Sequence, residues 1–323
     1  MNPAPSKIAV VIPCYKVTRH ILGVLQEIGP EVHSIYVVDD ACPEHSGRFV
    51  EAHSTDPRVR VLYNEVNLGV GGAVMAGYRA AIAQGDAVII KIDGDGQMDP
   101  TLIPRFVAPI LNYSADYTKG NRFFYLDKIS RMPRIRIFGN AVLSFMTKLS
   151  SGYWSSFDPT NGYTAIAAAT AAQLPLDRIS RRYFFETDML FRLNTIRAVV
   201  LDIPMDAKYE TEVSNLKISR VLTEFPLKHI RNLVKRIFYN YYLRGMSLAS
   251  LELPLGLALV GGGTLFGLFH WLQSMLQGTT TPAGTVMASA LPIILGVQLC
   301  LAFIGFDVAS EPTTSHRKLG ELA

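Results

Sequence analysis

The first ninety residues alternate short apolar runs with longer stretches in which apolar residues recur every three or four positions. Short β-rich runs bounded by turn residues are typical of buried strands, and the longer spacing is typical of helices. Strands that alternate with helices predict an α/β fold with a mostly parallel sheet covered on both faces. We expect strands at 8–12, 34–38, 59–63 and 87–92, and helices at 19–28, 47–54 and 71–84.

The C-terminal end carries two apolar segments, 253–276 and 285–306, neither of which contains Asp, Glu, Lys or Arg. Each meets the requirement of about 20 apolar residues for a helix that crosses a bilayer. A pair of buried helices in a soluble core is the alternative, but two adjacent segments of this length are rare there. Lysines and arginines before the first segment and after the second favour cytoplasmic flanks. The pattern predicts a transmembrane hairpin at 251–310 and a cytoplasmic tail at 311–323.

Between about 209 and 244, lysines and arginines are interleaved with aromatic residues. This pattern is typical of amphipathic helices that lie on a membrane surface, with aromatic rings at headgroup level. A solvated basic face is the alternative. We therefore expect juxtamembrane interfacial helices at 211–250, preceded by a cytoplasmic α/β domain at 1–210.

Composition agrees with a chain that lies partly in lipid. Of the 323 residues, 49% are hydrophobic and 18% are charged, with a net charge of +4. Cys14, Cys42 and Cys300 show no paired spacing, so we expect neither a disulfide framework nor a cysteine-based zinc site. The N-terminus has no apolar run long enough for a signal peptide, so we expect both termini to be cytoplasmic. We expect no nucleic-acid partner, and glycines in the apolar segments are compatible with packing in a homo-oligomer.

The strongest chemical signal is the segment 91–99, in which Asp93 and Asp95 flank a glycine after an apolar strand. Ligands of parallel sheets bind where strands end. Paired carboxylates with open coordination positions suit Mg²⁺ or Mn²⁺ together with diphosphate oxygens. An EF-hand calcium loop is the competing interpretation, but it would need a glutamate where this chain has Pro104, and a preceding helix. The pattern therefore favours a divalent metal site at the sheet edge.

Further motifs follow in a fixed order. They are Val-Ile-Pro-Cys-Tyr at 11–15, Val-Val-Asp-Asp at 37–40, Asn-Leu-Gly-Val-Gly-Gly-Ala at 67–73, Lys-Gly-Asn-Arg-Phe at 119–123, Asp-Pro-Thr-Asn-Gly-Tyr at 158–163 and Phe-Glu-Thr-Asp-Met-Leu at 185–190. With the acidic segment, this order resembles the family 2 glycosyltransferases, and among them the polyprenyl-phosphate group that contains dolichyl-phosphate mannosyltransferase. The resemblance covers about residues 8–220, and the two C-terminal helices resemble bacterial members. It implies a GT-A-type nucleotide-sugar-binding fold. The chain departs from many relatives at Thr164, where they carry an arginine.

The resemblance implies four groups of site residues. The nucleotide-sugar site would contain Pro13, Tyr15, Asp39, Asp40, Asn67, Gly71 and Asp93, and the Mg²⁺ or Mn²⁺ site Asp93, Asp95 and Gln97. The catalytic group would contain Arg122, Asp158, Glu186, Asp188 and Lys217, and the acceptor-phosphate site Arg122, Arg134, Arg136, Lys217 and Arg220. Structural alternatives remain for several of them, because Asp40 could cap a helix, Asp158 could form a turn, and Glu186 and Asp188 could lie on a helix surface.

We expect a metal-dependent transfer of a sugar from a UDP- or GDP-linked donor to a polyprenyl phosphate in the membrane. A phosphate monoester is largely ionised near neutral pH, so it needs no strong base. An alcohol acceptor would need a carboxylate base, for which Glu186 or Asp188 is the candidate. A glycosyltransferase that acts on another lipid or glycan and a nonenzymatic membrane scaffold are the alternatives. The scaffold is disfavoured because it has no use for a metal site.

Overall fold

The computed structural model describes residues 6–125, 134–206, 218–316 and 318, and within these it describes no side chains at 134–136 and 218–223. In this part of the chain, seven strands form one sheet in the order β3-β2-β1-β4-β6-β5-β7. Strand β6 runs antiparallel to both of its neighbours, and the other paired strands are parallel. The strands are β1 (Ile8–Cys14), β2 (Ser34–Asp39), β3 (Val59–Tyr63), β4 (Val88–Lys91), β5 (Tyr117–Asn121), β6 (Thr164–Ala167) and β7 (Val200–Pro204). The predicted, mostly parallel α/β sheet is confirmed.

The helices of the described residues connect these strands and then continue beyond the sheet. They are α1 (Ile21–Glu27), α2 (Ser46–His53), α3 (Val70–Gln84), α4 (Ile103–Leu111), α5 (Arg134–Ser151), α6 (Ala168–Ala171), α7 (Phe185–Thr195), α8 (Ile218–Phe238), α9 (Ala249–Gln277) and α10 (Ala283–Ala309). The elements expected in the first ninety residues are all present, with ends shifted by one or two positions.

Both faces of the sheet are buried, as the central strand β1 shows. Val10 and Ile12 join a core that contains residues of α1 and α4. Ala9 and Val11 point the other way and join a core built with α3 and α7. Because alternate side chains of a strand face opposite sides, a strand that is apolar throughout requires helices on both faces. The strand ends are then where polar side chains can reach a ligand.

The chain divides into two compact units. The first consists of the chain through Leu233 together with the residues from Pro312 onward, and it contains the sheet. The second, Val234–Glu311, contains α9 and α10. Both of these helices are long and apolar enough to cross a membrane.

Glycines lie at the contact between α9 and α10. A side chain at Gly263 or Gly267 would collide with Ser289 of α10, and one at Gly256 would collide with Gly296 and Cys300. The Ser289 hydroxyl donates a hydrogen bond of 2.9 Å to the Gly263 carbonyl. These small residues therefore allow the two helices of the hairpin to approach closely.

A buried ion pair lies within the second unit. The Arg236 guanidinium contacts both carboxylate oxygens of Asp307 at 2.6 and 3.0 Å. The Tyr241 hydroxyl donates to the same carboxylate at 2.6 Å. The side chains of the pair are 2% and 4% exposed, so the charges are compensated by each other and not by water.

The segment after α10 belongs to the first unit. Its Ser315 hydroxyl donates to the Tyr113 carbonyl at 2.5 Å. The His316 amide donates to the Asp116 carboxylate at 3.0 Å, and a ring nitrogen of His316 contacts the Ile196 carbonyl at 2.5 Å. The chain that follows the second apolar helix is therefore attached to the sheet-containing unit.

Four predicted acceptor residues fall where little or nothing is described. Lys217 lies outside the described residues. Arg134 and Arg136 lie in the first turn of α5 and Arg220 lies in the first turn of α8, but their side chains are outside the described part. Their roles stay predictions.

Candidate functional site

A cleft of about 710 Å³ opens at the carboxyl ends of β1, β2 and β4. Its walls come from five parts of the chain. They are Pro13, Cys14, Tyr15, Lys16, Val17 and His20 at and beyond the end of β1, Asp40 after β2, Asn67, Gly69, Val70 and Ala73 at the start of α3, Asp93, Gly94 and Asp95 after β4, and Arg182 and Tyr183 before α7. The cleft thus brings together the predicted residues Pro13, Tyr15, Asp40, Asn67, Asp93 and Asp95.

The two adjacent carboxylates at the end of β2, Asp39 and Asp40, have different roles. Asp39 is buried and accepts hydrogen bonds of 2.7 Å from the amides of Cys42 and Gly47, so it fixes the start of α2. Asp40 accepts from the amides of Leu68 and Gly69 at 2.9 and 2.7 Å. Only Asp40 of the two lines the cleft.

The loop before α3 is held on both sides by Asp40. The Asn64 side chain donates to the Asp40 carboxylate at 2.8 Å, and the Asn67 side chain donates to the Asp40 carbonyl at 3.2 Å. Together with the bonds from the Leu68 and Gly69 amides, these bonds engage the carboxylate and carbonyl oxygens of Asp40 within the protein. Amides of the glycine-rich loop that are bonded in this way are not available to a phosphate. Asp40 therefore shapes the wall of the cleft by fixing this loop.

Gly71 packs against the segment that precedes α7. Its amide donates to the Arg181 carbonyl at 2.9 Å. A Cβ atom at Gly71 would collide with the Ser180 carbonyl and with the Phe185 side chain. At Gly69, φ is +81°, a left-handed conformation that favours glycine. The glycines therefore let the loop and the 180–185 segment come into contact.

This contact brings two residues into the cleft that the sequence analysis did not assign, Arg182 and Tyr183. They are exposed and directly precede the Phe185 motif. In the sequence, these two residues could have been noticed as a cation and an aromatic ring next to a family motif. That signal was weak, because their position depends on the packing of Gly71 against Arg181.

The acidic segment after β4 is organised around Lys91. The Lys91 side chain is 1% exposed, and its ammonium lies 2.8 Å from Asp93 Oδ1 and 3.8 Å from Glu186 Oε1. Burial alone would lower the pKa of Lys91, but the negative charges of Asp93 and Glu186 outweigh it and the pKa is raised. The lysine therefore stays charged and balances part of the acidic cluster.

Glu186 carries an unusual carboxyl group. Its side chain is 14% exposed. Burial raises its pKa to about 7, although the charge of Lys91 opposes this shift. A carboxyl group with such a pKa can accept or donate a proton near neutral pH. The sequence motif predicted the residue but could not predict the shift, which depends on the buried lysine of β4.

The metal prediction can be tested against the oxygen ligands present. Among the described residues, no group of three or more His, Cys, Asp and Glu side chains is arranged to hold a metal. Asp93 and Asp95 both line the cleft, and Asp95 also accepts a 3.0 Å hydrogen bond from the Gln97 amide. Mg²⁺ commonly binds through one or two carboxylates and completes its coordination with water and substrate phosphates. Two carboxylates facing an open cleft fit that mode, and they do not form a metal site complete in itself.

Arg122 and Asp158 form a second charged group. The Arg122 guanidinium donates two hydrogen bonds of 2.7 Å to the two oxygens of Asp158, and its amide donates a third at 3.1 Å. Burial would raise the pKa of Asp158, but the bonds and charge of Arg122, together with Lys119, hold it below its ordinary value. Asp158 is fully buried, whereas the Arg122 side chain is 29% exposed. Asp158 therefore orients Arg122.

Asp202 of β7 supports this second group, and the sequence analysis missed it. Its carboxylate contacts Lys119 at 3.2 Å and accepts bonds from Asn121 at 3.0 Å and Ser156 at 2.9 Å. Strand β5 pairs with β7 in the sheet, which aligns Lys119 with Asp202. The partners lie 83 positions apart in sequence, so only the strand pairing could have revealed the contact.

Asp188 is buried and positions the segment before α7. Its carboxylate accepts from the Ser180 amide at 2.9 Å and contacts Arg192 at 3.2 Å. The Asn232 side chain of α8 donates to it at 3.1 Å. Asp188 is absent from the lining of the cleft. Its partners connect it to the 180–185 segment, and the catalytic role expected for it stays a prediction.

The family model described as Glycosyl transferase family 2 matches residues 9–170. Among curated proteins, the chain is 30% identical to an undecaprenyl-phosphate mannosyltransferase of Micrococcus luteus, covering 66% of this chain and 88% of that protein. It is 25% identical to a UDP-N-acetylglucosamine–dolichyl-phosphate N-acetylglucosaminyltransferase of Methanococcus voltae, covering 69% and 94%. A dolichol-phosphate mannosyltransferase of Pyrococcus furiosus is 24% identical, covering 71% and 64%.

Solved structures share the fold at lower identity. Glucosyl-3-phosphoglycerate synthase of Mycobacterium tuberculosis, in complex with Mn²⁺, UDP and glucosyl-3-phosphoglycerate, is 18% identical with a TM-score of 0.51 and covers 72% of this chain and 79% of that one. Mannosyl-3-phosphoglycerate synthase of Rubrobacter xylanophilus is 17% identical with a TM-score of 0.53, covering 75% and 77%. The expected GT-A-type fold is thereby confirmed.

Proposed function

Because the chain belongs to glycosyl transferase family 2 and is a glycosyltransferase, we propose that it moves a sugar from a nucleotide-sugar donor to a polyprenyl phosphate in the membrane. We further propose that a divalent cation, Mg²⁺ or Mn²⁺, takes part. The observation that carries this proposal is the pair of carboxylates, Asp93 and Asp95, facing a cleft at the carboxyl edge of the sheet. The names of the similar proteins support a polyprenyl-phosphate acceptor.

The cleft has the chemical groups that a nucleoside diphosphate requires. Tyr15 is 46% exposed at its wall, and an exposed aromatic ring can stack on a base. Lys16 and Arg182 supply positive charge on the same cleft, which attracts phosphate oxygens. Uridine and guanosine donors both fit this description, and the Mn²⁺–UDP complex of a fold neighbour makes a uridine donor the first to test.

Asp93 and Asp95 would hold the cation, and Lys91 orients Asp93 through its 2.8 Å contact. A bound cation offsets negative charge on a departing diphosphate. A side chain at position 162 would collide with the Lys91 ammonium and would come within 2.8 Å of Asp93. Gly162 therefore leaves room for the acidic cluster, which explains a glycine in the 158–163 motif.

In the proposed reaction, a phosphate oxygen of the lipid forms a bond to the anomeric carbon of the sugar. The bond from that carbon to the diphosphate oxygen breaks, and the nucleoside diphosphate leaves with the electron pair. The acceptor phosphate is already ionised, so the main barrier is the approach of two anions. Arg122, oriented by Asp158, would hold the acceptor phosphate, with Arg134, Arg136, Lys217 and Arg220 as further predicted contacts.

Glu186 supports a second candidate, transfer to an alcohol group of another lipid or glycan. Its pKa of about 7 suits a general base, which an alcohol acceptor would require and a phosphate acceptor would not. The two candidates predict different effects of Glu186→Gln. Transfer to a phosphate should survive the substitution, whereas transfer to an alcohol should fall by about 10²–10⁴-fold.

We also propose that α9 and α10 span the membrane as a hairpin, with the catalytic domain and both termini in the cytoplasm. The contacts of Ser315 and His316 with Tyr113 and Asp116 support this arrangement. They attach the chain after α10 to the unit that precedes α9, so an even number of crossings is required. The basic residues that flank the two helices favour a cytoplasmic location for both ends.

The test measures nucleotide release and lipid labelling from labelled UDP- and GDP-sugars, using the full chain in lipid nanodiscs. The reactions are run with and without Mn²⁺ or Mg²⁺ and with and without polyprenyl phosphate. Asp95→Ala should abolish turnover and leave membrane insertion unchanged. Labelling that requires both the cation and the lipid phosphate is the expected result; metal-independent labelling would refute the assignment of the carboxylates.

Asp99→Asn is the matched control for this test. Asp99 lies four positions after Asp95 and bonds locally to the amide and hydroxyl of Thr101. The substitution removes one negative charge from the same segment but does not change a residue that lines the cleft, so activity should be retained. An equal loss of activity in both variants would mean that activity depends on the net charge of the segment and not on a metal held by Asp95.

A further inference from the structure

Three amides of the glycine-rich loop before α3 are already used within the protein. The amides of Leu68 and Gly69 donate to the Asp40 carboxylate at 2.9 and 2.7 Å. The Gly71 amide donates to the Arg181 carbonyl at 2.9 Å. Loops of this kind hold phosphates through amides that point at the ligand. A phosphate at this wall of the cleft cannot bind these three amides, so a cationic side chain beside them would supply the missing donors.

Arg182 is a cationic side chain at this wall. It lines the cleft, and its Cγ atom would lie 3.0 Å from a Cβ atom at Gly69, so its stem runs directly over the loop. Among the residues that the structure describes, no carboxylate forms an ion pair with Arg182. A guanidinium in this position can donate to two oxygens of a diphosphate at once.

The segment that carries Arg182 is also held by helix α8. Phe184, two positions after Arg182, is 1% exposed. Its ring meets the rings of Phe225 and His229 edge to face, at centroid distances of 5.2 and 5.1 Å. The Lys228 ammonium lies 5.5 Å from the centre of the same ring. Three residues of α8 thus contact the side chain of Phe184.

Asn232 of α8 adds a polar contact to the same segment. Its side chain is 1% exposed and donates to one oxygen of the Asp188 carboxylate at 3.1 Å. The other oxygen of that carboxylate accepts from the Ser180 amide at 2.9 Å. A buried carboxylate that binds both groups fixes them relative to each other. Helix α8 is therefore joined, through Asp188, to the backbone two residues before Arg182.

We propose that Arg182 binds the diphosphate of the donor and that Asn232 is a positioning residue for it, acting through Asp188 and the Ser180 amide. Asn232 is absent from the lining of the cleft, so α8 sets the affinity for the donor without touching it. A displacement of α8 moves the wall that carries Arg182. This inference rests on the proposed use of a nucleotide-sugar donor.

The test measures the affinity of the full chain in lipid nanodiscs for UDP and for GDP, each with Mn²⁺, together with the donor and acceptor KM. Arg182→Ala should weaken binding of the preferred nucleotide by about 10–100-fold, as expected for lost hydrogen bonds to a charged group. Asn232→Ala should weaken it by about 3–10-fold and raise the donor KM more than the acceptor KM. Arg231→Ala changes the neighbouring exposed residue of α8 and should do neither.

The double variant Arg182→Ala/Asn232→Ala separates positioning from a general loss of structure. If Asn232 acts through Arg182, its removal in the Arg182→Ala background should weaken nucleotide binding by less than about 2-fold, because coupled residues are not additive. Fully additive losses would overturn the proposal. The melting temperature without nucleotide shows whether each variant is folded. Phe225→Leu keeps an apolar side chain against Phe184, so it is the milder second variant of α8 and should also weaken nucleotide binding.

The possible failures are distinguishable. If the wild type binds a nucleotide and neither Asn232→Ala nor Phe225→Leu changes the affinity, the role of α8 is overturned and the proposed function stays intact. If Arg182→Ala binds the nucleotide as tightly as the wild type, the diphosphate contact is overturned. Absence of UDP and GDP binding to the wild type would refute the nucleotide-sugar donor itself, and this inference with it.

Discussion

Asp158→Asn isolates the contribution of one buried charge next to the proposed acceptor site. Asp158 is fully buried and receives three hydrogen bonds from Arg122. Its backbone φ is +56°, a left-handed conformation that asparagine tolerates well. The substitution therefore preserves the shape and backbone preference while removing the negative charge. It also turns an NH₂ group toward one of the Arg122 contacts, where two donors would then face each other.

The expected loss of stability follows from the solvent exposure of Arg122, the partner of Asp158. Breaking a fully buried ion pair by removing one member costs about 3–5 kcal/mol, because the remaining charge loses its compensation. The Arg122 side chain is 29% exposed and can be partly hydrated, so we expect the lower end, about 3 kcal/mol. For a domain of this size, about 1 kcal/mol shifts the melting temperature by about 2–4 °C. Asp158→Asn should therefore lower it by about 6–12 °C.

The assay is thermal unfolding of the full chain in nanodiscs at pH 7, with activity measured in parallel. The acceptor KM should rise more than the donor KM, since Arg122 loses its orientation. Asp177→Asn is the matched control. Asp177 pairs with Arg79 at 2.5 Å, but its side chain is 90% exposed, and such surface pairs contribute little. Equal melting temperatures for wild type and Asp158→Asn, or equal losses in both variants, would refute the reasoning.

The pH dependence gives an independent check. The pKa of Asp158 lies below its ordinary value of 3.8 in the folded protein. The stability that this carboxylate contributes is therefore fully present above pH 3.8 and is lost as the pH falls through the folded pKa. The difference in stability between wild type and Asp158→Asn should stay constant from pH 8 to pH 5 and shrink in stronger acid. A difference that did not change with acidification would contradict the lowered pKa.

Three further substitutions test other parts of the structure. Glu186→Gln should flatten the pH dependence of stability between pH 5 and 8. In the wild type, the stability associated with the protonated carboxyl, about 3 kcal/mol for a pKa of about 7, is lost as the pH rises through that value. Parallel curves of melting temperature against pH for the two proteins would contradict the raised pKa. Gly71→Ala should weaken nucleotide binding and lower stability by about 1–3 kcal/mol through its collision with the 180–185 segment, whereas Gly23→Ala, which meets nothing within 4 Å, should do neither; equal nucleotide affinity in both would contradict the packing argument. Asp307→Asn should destabilise the second unit by about 3–5 kcal/mol, because the buried Arg236 would lose the negative charge of Asp307. Fluorescence of the unit during unfolding should show an earlier transition, and an unchanged transition would contradict the contribution of the buried pair.

Local patterns were sufficient for the elements of the sheet and for the chemical groups at its edge. Strand β1 is apolar at every position from Ile8 to Ile12, and such a run can only be buried on both faces. Two helices without charged residues over twenty positions required no tertiary information either. The acidic pair Asp93 and Asp95 was predicted from its position after a strand, because parallel strands end at one edge of the sheet.

The sequence could not reveal which polar groups are used internally. Asp40 was expected to contact a nucleotide, and it holds the loop at 64–69 through several hydrogen bonds. Lys91 looked like one residue of a strand, yet its buried ammonium determines the charge balance around Asp93 and Glu186. These relations depend on distances between segments that are far apart in the chain, and no local pattern encodes such distances.

The sequence by itself determined the family, the α/β class, the two apolar helices and the position of the acidic pair, because each depends on residue type and spacing within one segment. Only the tertiary structure decided that Arg182 lines the cleft, that Asp202 binds Asn121 and Ser156, and that α5 turns its phenylalanines outward. A helix with apolar and polar faces can be placed either way around, and the choice depends on what covers each face. Here the Ser150 hydroxyl of α5 lies 2.8 Å from a ring nitrogen of His229 inside the protein, and the large apolar side chains of α5 remain on the other face.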